Sequence, residues 1–173
     1  AQLINMLYNI VDHIYIGHIP DTGAMALTGV GVCLPIIMVI SAFAALVGMG
    51  GAPRASIEEG RGNISESERI MGNCFTLLIV ISVVLTVFFQ LFSEPLLLIF
   101  GASEATIGYA MDYMRIYCLG TLFVQLTLGM NAYITAQGFT TVGMKTVLIG
   151  AGLNTVLDPI FIFVFDMGVQ GAA

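Results

Sequence analysis

Charge is scarce in this chain. Lys, Arg, Asp and Glu together make up 9% of the 173 residues, hydrophobic residues make up 58%, and the mean hydropathy is +0.97. Soluble globular domains carry about 25% charged residues, so large water-facing domains are excluded and a bilayer is the natural solvent. Basic residues are fewest, five against eleven acidic, for a formal net charge of -6. Most of these charges fall between apolar runs, so the acidic excess carries no information about substrate, and no nucleic-acid partner is expected. A cysteine framework is also missing. Cys33, Cys74 and Cys118 lie in three different apolar runs, without CxxC spacing or a nearby His to complete a metal set, and read as small buried hydrophobes. Gly48-Met49-Gly50-Gly51 is not followed by Lys-Ser/Thr, which removes a phosphate loop and leaves close helix packing or a helix exit. No start Met or basic leader precedes Ala1-Gln2-Leu3, and no polar tail follows Gly171-Ala172-Ala173, so both ends are expected to be cuts in a longer protein.

What is present is a succession of long apolar segments. At roughly 20 residues per crossing, the chain has room for about five or six spans with short loops. The segments run approximately over residues 3–19, 24–51, 70–92, 113–136 and 144–165. Pro20-Asp21-Thr22-Gly23 closes the first, and the second contains Pro35. Charges crowd residues 53–69, which read as a solvated loop entering the third segment through Ser65 or Ser67 as N-cap. Glu94-Pro95 is expected to end that segment and lead into an interfacial stretch through Glu104, and residues 137–143 form a short turn. The fold class is therefore an all-α polytopic membrane protein with about five transmembrane helices.

Orientation follows from the basic residues. Arg54, Arg61, Arg69 and Lys145 lie on one side and only Arg115 on the other. The first side is expected to be cytoplasmic, together with the N-terminus, and Asp21, Glu94, Glu104 and Asp166 external. Five short-looped spans fit a transporter or channel better than an enzyme.

Within the spans, an ionisable side chain costs at least ~2.5–3.5 kcal/mol near the bilayer centre and is retained mainly where it works or pairs. Asp12 and Asp158 qualify. At 100° per residue, Asn5, Tyr8, Asn9, Asp12 and Tyr15 share an arc of about 120° opposite Leu3, Leu7, Ile10, Val11 and Ile14. Asp12 thus faces protein or a wet cavity, or else lies at the outer interface. Asn154 and Asp158, four residues apart, stack on one helix face. Pro159, lacking an N–H, frees the carbonyl of Thr155. Together they offer a hard-oxygen site for Na⁺ or a place to hold a proton; a helix kink with Asp158 capping its own backbone is the other reading. On the fourth segment Thr121, Gln125, Asn131 and Thr135 share a second polar arc, as cavity lining or as interhelical hydrogen bonds. His13 and His18 near the outer end of the first segment are structural or sense external pH.

These residues carry a resemblance. Asn9-Ile10-Val11-Asp12, then Ile16-Gly17, Ala26 to Gly31 and Leu34-Pro35, is similar to the opening of multidrug and toxic compound extrusion (MATE) transporters. Gly50-Gly51-Ala52-Pro53, the Gly60-Arg61-Gly62 loop, Asn154 to Phe161 and Gly168 to Ala173 resemble the same family in order and spacing. The resemblance implies an antiporter of two six-helix lobes that expels cationic or amphipathic drugs in exchange for Na⁺ or H⁺. This chain would be most of the first lobe in the cell membrane, partnered by the bilayer, small-molecule drugs and a C-terminal lobe, with no cofactor beyond the coupling ion. It further implies that Asp12, Asn154 and Asp158 form the cation or proton site, with possible Na⁺ ligation, and that Tyr8 and Asn131 have neighbouring roles in that site or the cavity; Asn5 and Gln125, from their polar arcs, are expected in the substrate cavity as well. A sixth-helix ligand of the family would lie beyond Ala173. A lipid-linked-precursor or polysaccharide flippase is the nearest alternative, although its cavity usually needs arginines, and only Arg115 lies near a span. An intramembrane aspartyl enzyme using Asp12 and Asp158 is the rival from another class, and no Gly-x-Gly-Asp surrounds either residue.

Overall fold

The computed structural model describes residues 2–19, 22–165 and 167–172, with side chains from residue 10 onward. Five α-helices follow one another: α1 Gln2–Gly17, α2 Gly23–Gly60, α3 Ile64–Ile99, α4 Ile107–Ala136 and α5 Thr140–Pro159. A π-helical turn, Ile160–Val164, and a 3-10 turn, Gly168–Ala172, complete the described chain, which contains no strand among the described residues. Among the described residues, four helical stretches are long and apolar enough to cross a membrane: Gly23–Gly60, Ile64–Ile99, Ile107–Ala136 and Thr140–Val164. With its 16 residues, α1 rises about 24 Å, short of the ~30 Å hydrocarbon core.

The helices run past the apolar segments, which corrects two sequence expectations. Residues 53–69 are not a loop. Helix α2 continues through Pro53 and Arg54 to Gly60, only Arg61, Gly62 and Asn63 connect, and α3 starts at Ile64, so Ser65 and Ser67 lie inside the helix rather than capping it. Hydropathy reports where lipid ends, not where backbone hydrogen bonding ends. The charged turns are sustained by water and by i,i+3 pairs, Arg61–Glu58 at 2.6 Å and Arg69–Glu66 at 2.8 Å. What stops α2 is Gly62, at φ 79°: its N–H donates to Glu59 and that of Asn63 to the Glu58 carbonyl, the paired bonds of a Schellman ending. Likewise α3 does not end at Glu94-Pro95 but passes through Pro95 to Ile99 and closes the same way at Gly101, φ 104°.

Two compact units can be distinguished. The first comprises residues 1–35, 89–118 and 144–173, the second 36–88 and 119–143. In the first, Ile16, Ala26, Val30 and Val169 are buried together, with Tyr109 and Tyr113 packed against them. Cys33 is fully buried there, its thiol 3.4 Å from the Gly29 carbonyl and 3.5 Å from that of Ala110. In the second, Ala44, Val47 and Leu78 form one cluster and Ala52, Ala55 and Tyr133 another. Small residues decide that packing. A Cβ on Gly48 would stand 2.9 Å from the Gly129 carbonyl oxygen, and one on Gly51 would collide with the Tyr133 hydroxyl and Cys74, so Gly48 and Gly51, inside α2, let it pack closely on α3 and α4 rather than marking a helix exit. All three cysteines are free.

The outer surface is apolar to a degree water does not tolerate. Leu46, Met49, Leu91, Leu119 and Phe123 are each between 68% and 74% exposed, among many other large hydrophobics. Side chains of this kind are stable facing lipid or further protein.

Candidate cation site

Three of the polar residues singled out in the sequence meet in the first unit. Asn154 and Asp158 lie one turn apart on α5, and the Asn154 side-chain amide donates to Asp158 Oδ1 across 3.1 Å. Asp158 is 4% exposed. Asp12, half-buried on α1, brings its carboxyl within hydrogen-bonding reach of Asp158. The reading in which Asp158 caps its own backbone is not what is observed: its partners are two side chains.

The remaining lone pairs define the chemistry. Asp12 Oδ1, Asn154 Oδ1 and Asp158 Oδ2 are buried and have no hydrogen-bond partner among the described residues. A buried oxygen without a donor costs about 1–3 kcal/mol, more when charged, so three around one carboxyl pair are lone pairs open to a proton, a cation or a water. Both carboxyls and the amide are hard oxygen donors, suited to Na⁺ or a proton rather than to a soft metal. Among the described residues no group of three His, Cys, Asp or Glu side chains is placed to hold a metal, so Na⁺ would rest on the carboxyl pair, the amide oxygen and backbone.

Backbone geometry at the site follows from Pro159. Without an N–H it cannot donate to Thr155, whose own hydroxyl donates instead to the Ala151 carbonyl at 2.8 Å. Immediately beyond, the register widens into the π-turn, closed by the Phe165 N–H on the Ile160 carbonyl at 3.0 Å. The sequence anticipated a bend; the π-turn carried no sequence signal. The 3-10 turn Gly168–Ala172 packs against both this π-turn and α1.

Other expected residues lie elsewhere. Asn5 and Tyr8 fall outside the described side chains. Gln125 and Asn131 belong to the second unit. Gln125 is fully buried and donates through Nε2 to the Ile40 carbonyl at 2.8 Å, the interhelical bond expected as one reading, while its Oε1 has no partner. Asn131 Oδ1 is buried without a partner beside Gly143. Thr121 is fully buried, and Thr135 donates to the Asn131 carbonyl. His18 caps α1, its Nδ1–H donating to Ile14 at 2.7 Å. Sequence reasoning missed a small cavity in the second unit, lined in part by Glu59 and Glu68.

Comparison with known proteins gives a consistent result. The family model MatE matches residues 1–160. The multidrug export protein MepA of Staphylococcus haemolyticus (strain JCSC1435) is 30% identical over 173 residues, all of this chain and 38% of that protein. A structure described as MATE in the bent conformation superposes with a TM-score of 0.90 at 27% identity, over 98% of this chain and 37% of the other. One described as MATE in the straight conformation gives 0.88 at 27% identity over the same shares. The chain thus spans less than two-fifths of the length of the relatives it matches.

Proposed function

The chain belongs to the MatE family, and on that premise we propose that it forms the first lobe of a multidrug efflux antiporter. The assembled protein exports cationic or amphipathic small molecules in exchange for Na⁺ or H⁺, as a carrier and not an enzyme. A second lobe completes it. Support for the substrate class comes from the multidrug export protein that the chain resembles along its whole length. Support for ion coupling comes from one observation above the others: three buried oxygens without partners, on Asp12, Asn154 and Asp158, around a pair of carboxyls.

In this reading the coupling ion neutralises the pair. Two carboxylates in one dry pocket repel unless a proton or Na⁺ stands between them, and Asn154 holds one oxygen of Asp158 so that the others converge on the ion. Occupancy then biases α1 against α5. Export follows if the two resulting conformations differ in affinity for both drug and ion, since a ligand shifts an equilibrium only by its differential affinity. Substrate-binding roles for Asn5, Tyr8, Gln125 and Asn131 are part of the same proposal, supported for the last two by their unpartnered side-chain oxygens. The bias of lysines and arginines supports a cytoplasmic N-terminus in the cell membrane. A flippase for pyrophosphate-linked substrates is less well supported. Arg115 is exposed, and the contact at that position is through its backbone carbonyl, which accepts from Gln90.

The test is drug efflux from cells carrying the intact protein, under an imposed Na⁺ or proton gradient, for wild type and Asp158→Asn. Efflux driven by one gradient and abolished by the substitution supports the antiporter and names its ion. Efflux indifferent to both gradients refutes it.

A further inference from the structure

A second, unrelated cavity lies in the second unit, where the end of α2, the start of α3 and the end of α4 meet. It encloses about 190 Å³, and its lining joins an apolar wall, including Ala55, Met71 and Ala136, to the carboxylates of Glu59 and Glu68. Ser67 and Tyr133, both more than nine-tenths buried, also line it; the Ser67 hydroxyl has no hydrogen-bond partner among the described residues, whereas the Tyr133 hydroxyl is turned against Gly51 and Cys74.

The pattern of ion pairing is selective. Four glutamates stand on these turns. Arg61 neutralises Glu58 and Arg69 neutralises Glu66, and neither Glu58 nor Glu66 lines the cavity. The two that do, Glu59 and Glu68, have no ion pair among the described residues, and Arg54, exposed nearby, does not line the cavity. The cavity mouth therefore keeps two negative charges that the surrounding arginines leave open.

Size and lining narrow the ligand. Drug-sized molecules occupy pockets of about 300–1,000 Å³, so this cavity is too small for them. A bare divalent ion needs six or more oxygens at about 2.0–2.6 Å, which two carboxylates on separate helices around so wide a space do not supply. Anions are repelled. What fits is a compact cation with N–H donors for the carboxylates and the Ser67 hydroxyl and a short apolar stem for the alanine and methionine wall. We infer that the cavity between Glu59 and Glu68 is a binding site for a small primary alkylammonium group, separate from the Asp12–Asp158 pair. That group is available from two sources, a soluble amine or an ethanolamine lipid headgroup.

The test uses the purified full chain in nanodiscs and ethylammonium chloride as probe, with binding followed by saturation-transfer NMR. In phosphatidylcholine nanodiscs, ethylammonium binds saturably and at least tenfold more tightly than tetramethylammonium, which has no N–H. The Glu59→Gln/Glu68→Gln variant loses at least tenfold in affinity. So does Ala136→Leu, which narrows the cavity without touching its charge; all three positions are exposed, so the fold tolerates the changes. Binding persists in Asp158→Asn. Adding phosphatidylethanolamine weakens ethylammonium binding if the headgroup is the natural occupant and leaves it unchanged if a soluble amine is, and both outcomes uphold the site. Unaltered binding by Ala136→Leu, equal binding of tetramethylammonium, or loss in Asp158→Asn overturns the inference, the first two by showing diffuse surface attraction and the third by placing the ligand in the ion site.

Discussion

Asn154 holds Asp158 from one turn away, its amide donating to Oδ1 at 3.1 Å, and leaves both its own Oδ1 and Asp158 Oδ2 buried without partners. One hydrogen bond thus orients a carboxylate while sparing the oxygens that a cation needs. Replacing the amide separates these two effects. Asn154→Ala removes a hydrogen bond to a charged group, typically worth about 1.5–3 kcal/mol, and the apparent affinity for the coupling ion falls by about ten- to a hundredfold. Efflux rate titrated against Na⁺ or pH in everted vesicles measures it. Maximal efflux at saturating ion is retained, and a loss of maximal rate with unchanged ion affinity would sink the orienting role.

The glycines of α2 yield a paired stability prediction. A Cβ on Gly51 meets the Tyr133 hydroxyl and lies 2.5 Å from Cys74 Sγ, whereas one on Gly50 meets nothing within 4 Å. Gly51→Ala is therefore overpacking and costs about 1–3 kcal/mol. Gly50→Ala gains helix propensity, up to about 1 kcal/mol, with no clash. Thermal unfolding in one detergent should lower the midpoint for the first and raise or preserve it for the second. The reverse order contradicts the packing described for this helix.

How far the sequence was legible depends on what kind of signal each feature leaves. Asp12 and Asp158 stood out because charge inside an apolar run is expensive, and Asn154 because four residues is one helical turn. At the charged end of α2 polarity does not signal irregular backbone, because Arg61 and Arg69 pair within the helical turns they flank. Pro95 reads as a stop in the sequence, yet a proline removes one hydrogen bond and α3 continues past it. The cavity at Glu59 and Glu68 left no trace, because its walls come from residues up to 85 positions apart, Ala52 to Gln137, and become neighbours only through helix packing.

Topology can be read chemically. If four of the five basic residues mark the cytoplasmic side, Arg61→Cys reacts with a membrane-impermeant maleimide only after the cell is opened, and Glu104→Cys reacts in intact cells. Both positions are exposed, while the native Cys33 and Cys118 are buried and Cys74 is partly so, which keeps the background low. Labelling of Arg61→Cys from outside would invert the orientation proposed for the first lobe.

Gln125 distinguishes structure from transport. It is fully buried, gives one hydrogen bond to the Ile40 carbonyl and keeps an unpartnered Oε1. Gln125→Met preserves volume and loses an interhelical bond worth about 0.6 kcal/mol on average in membranes, so the thermal midpoint should scarcely move. Should Oε1 serve substrate, the same variant raises KM for some drugs and not others. Unchanged KM for every drug tested assigns Gln125 to helix packing alone.

Pro159 lies next to the proposed ion site and shapes its helix. It withholds an N–H from Thr155, and the chain beyond it adopts the π-turn Ile160–Val164, on which the turn Gly168–Ala172 packs while also touching α1. Pro159→Ala restores the missing donor and lets an α-helical register continue. A proline in a helix interior costs about 3 kcal/mol, so the variant should be no less stable than wild type and can exceed it. Function moves the other way. With Thr155 capped and the π-turn replaced, a backbone oxygen beside Asp158 is lost and the wedge against α1 shifts. Ion-driven efflux should therefore fall at least tenfold while the thermal midpoint holds or rises. Efflux and midpoint falling together would mark Pro159 as a packing residue, and the proposed link from Asp158 through the π-turn to α1 would fail.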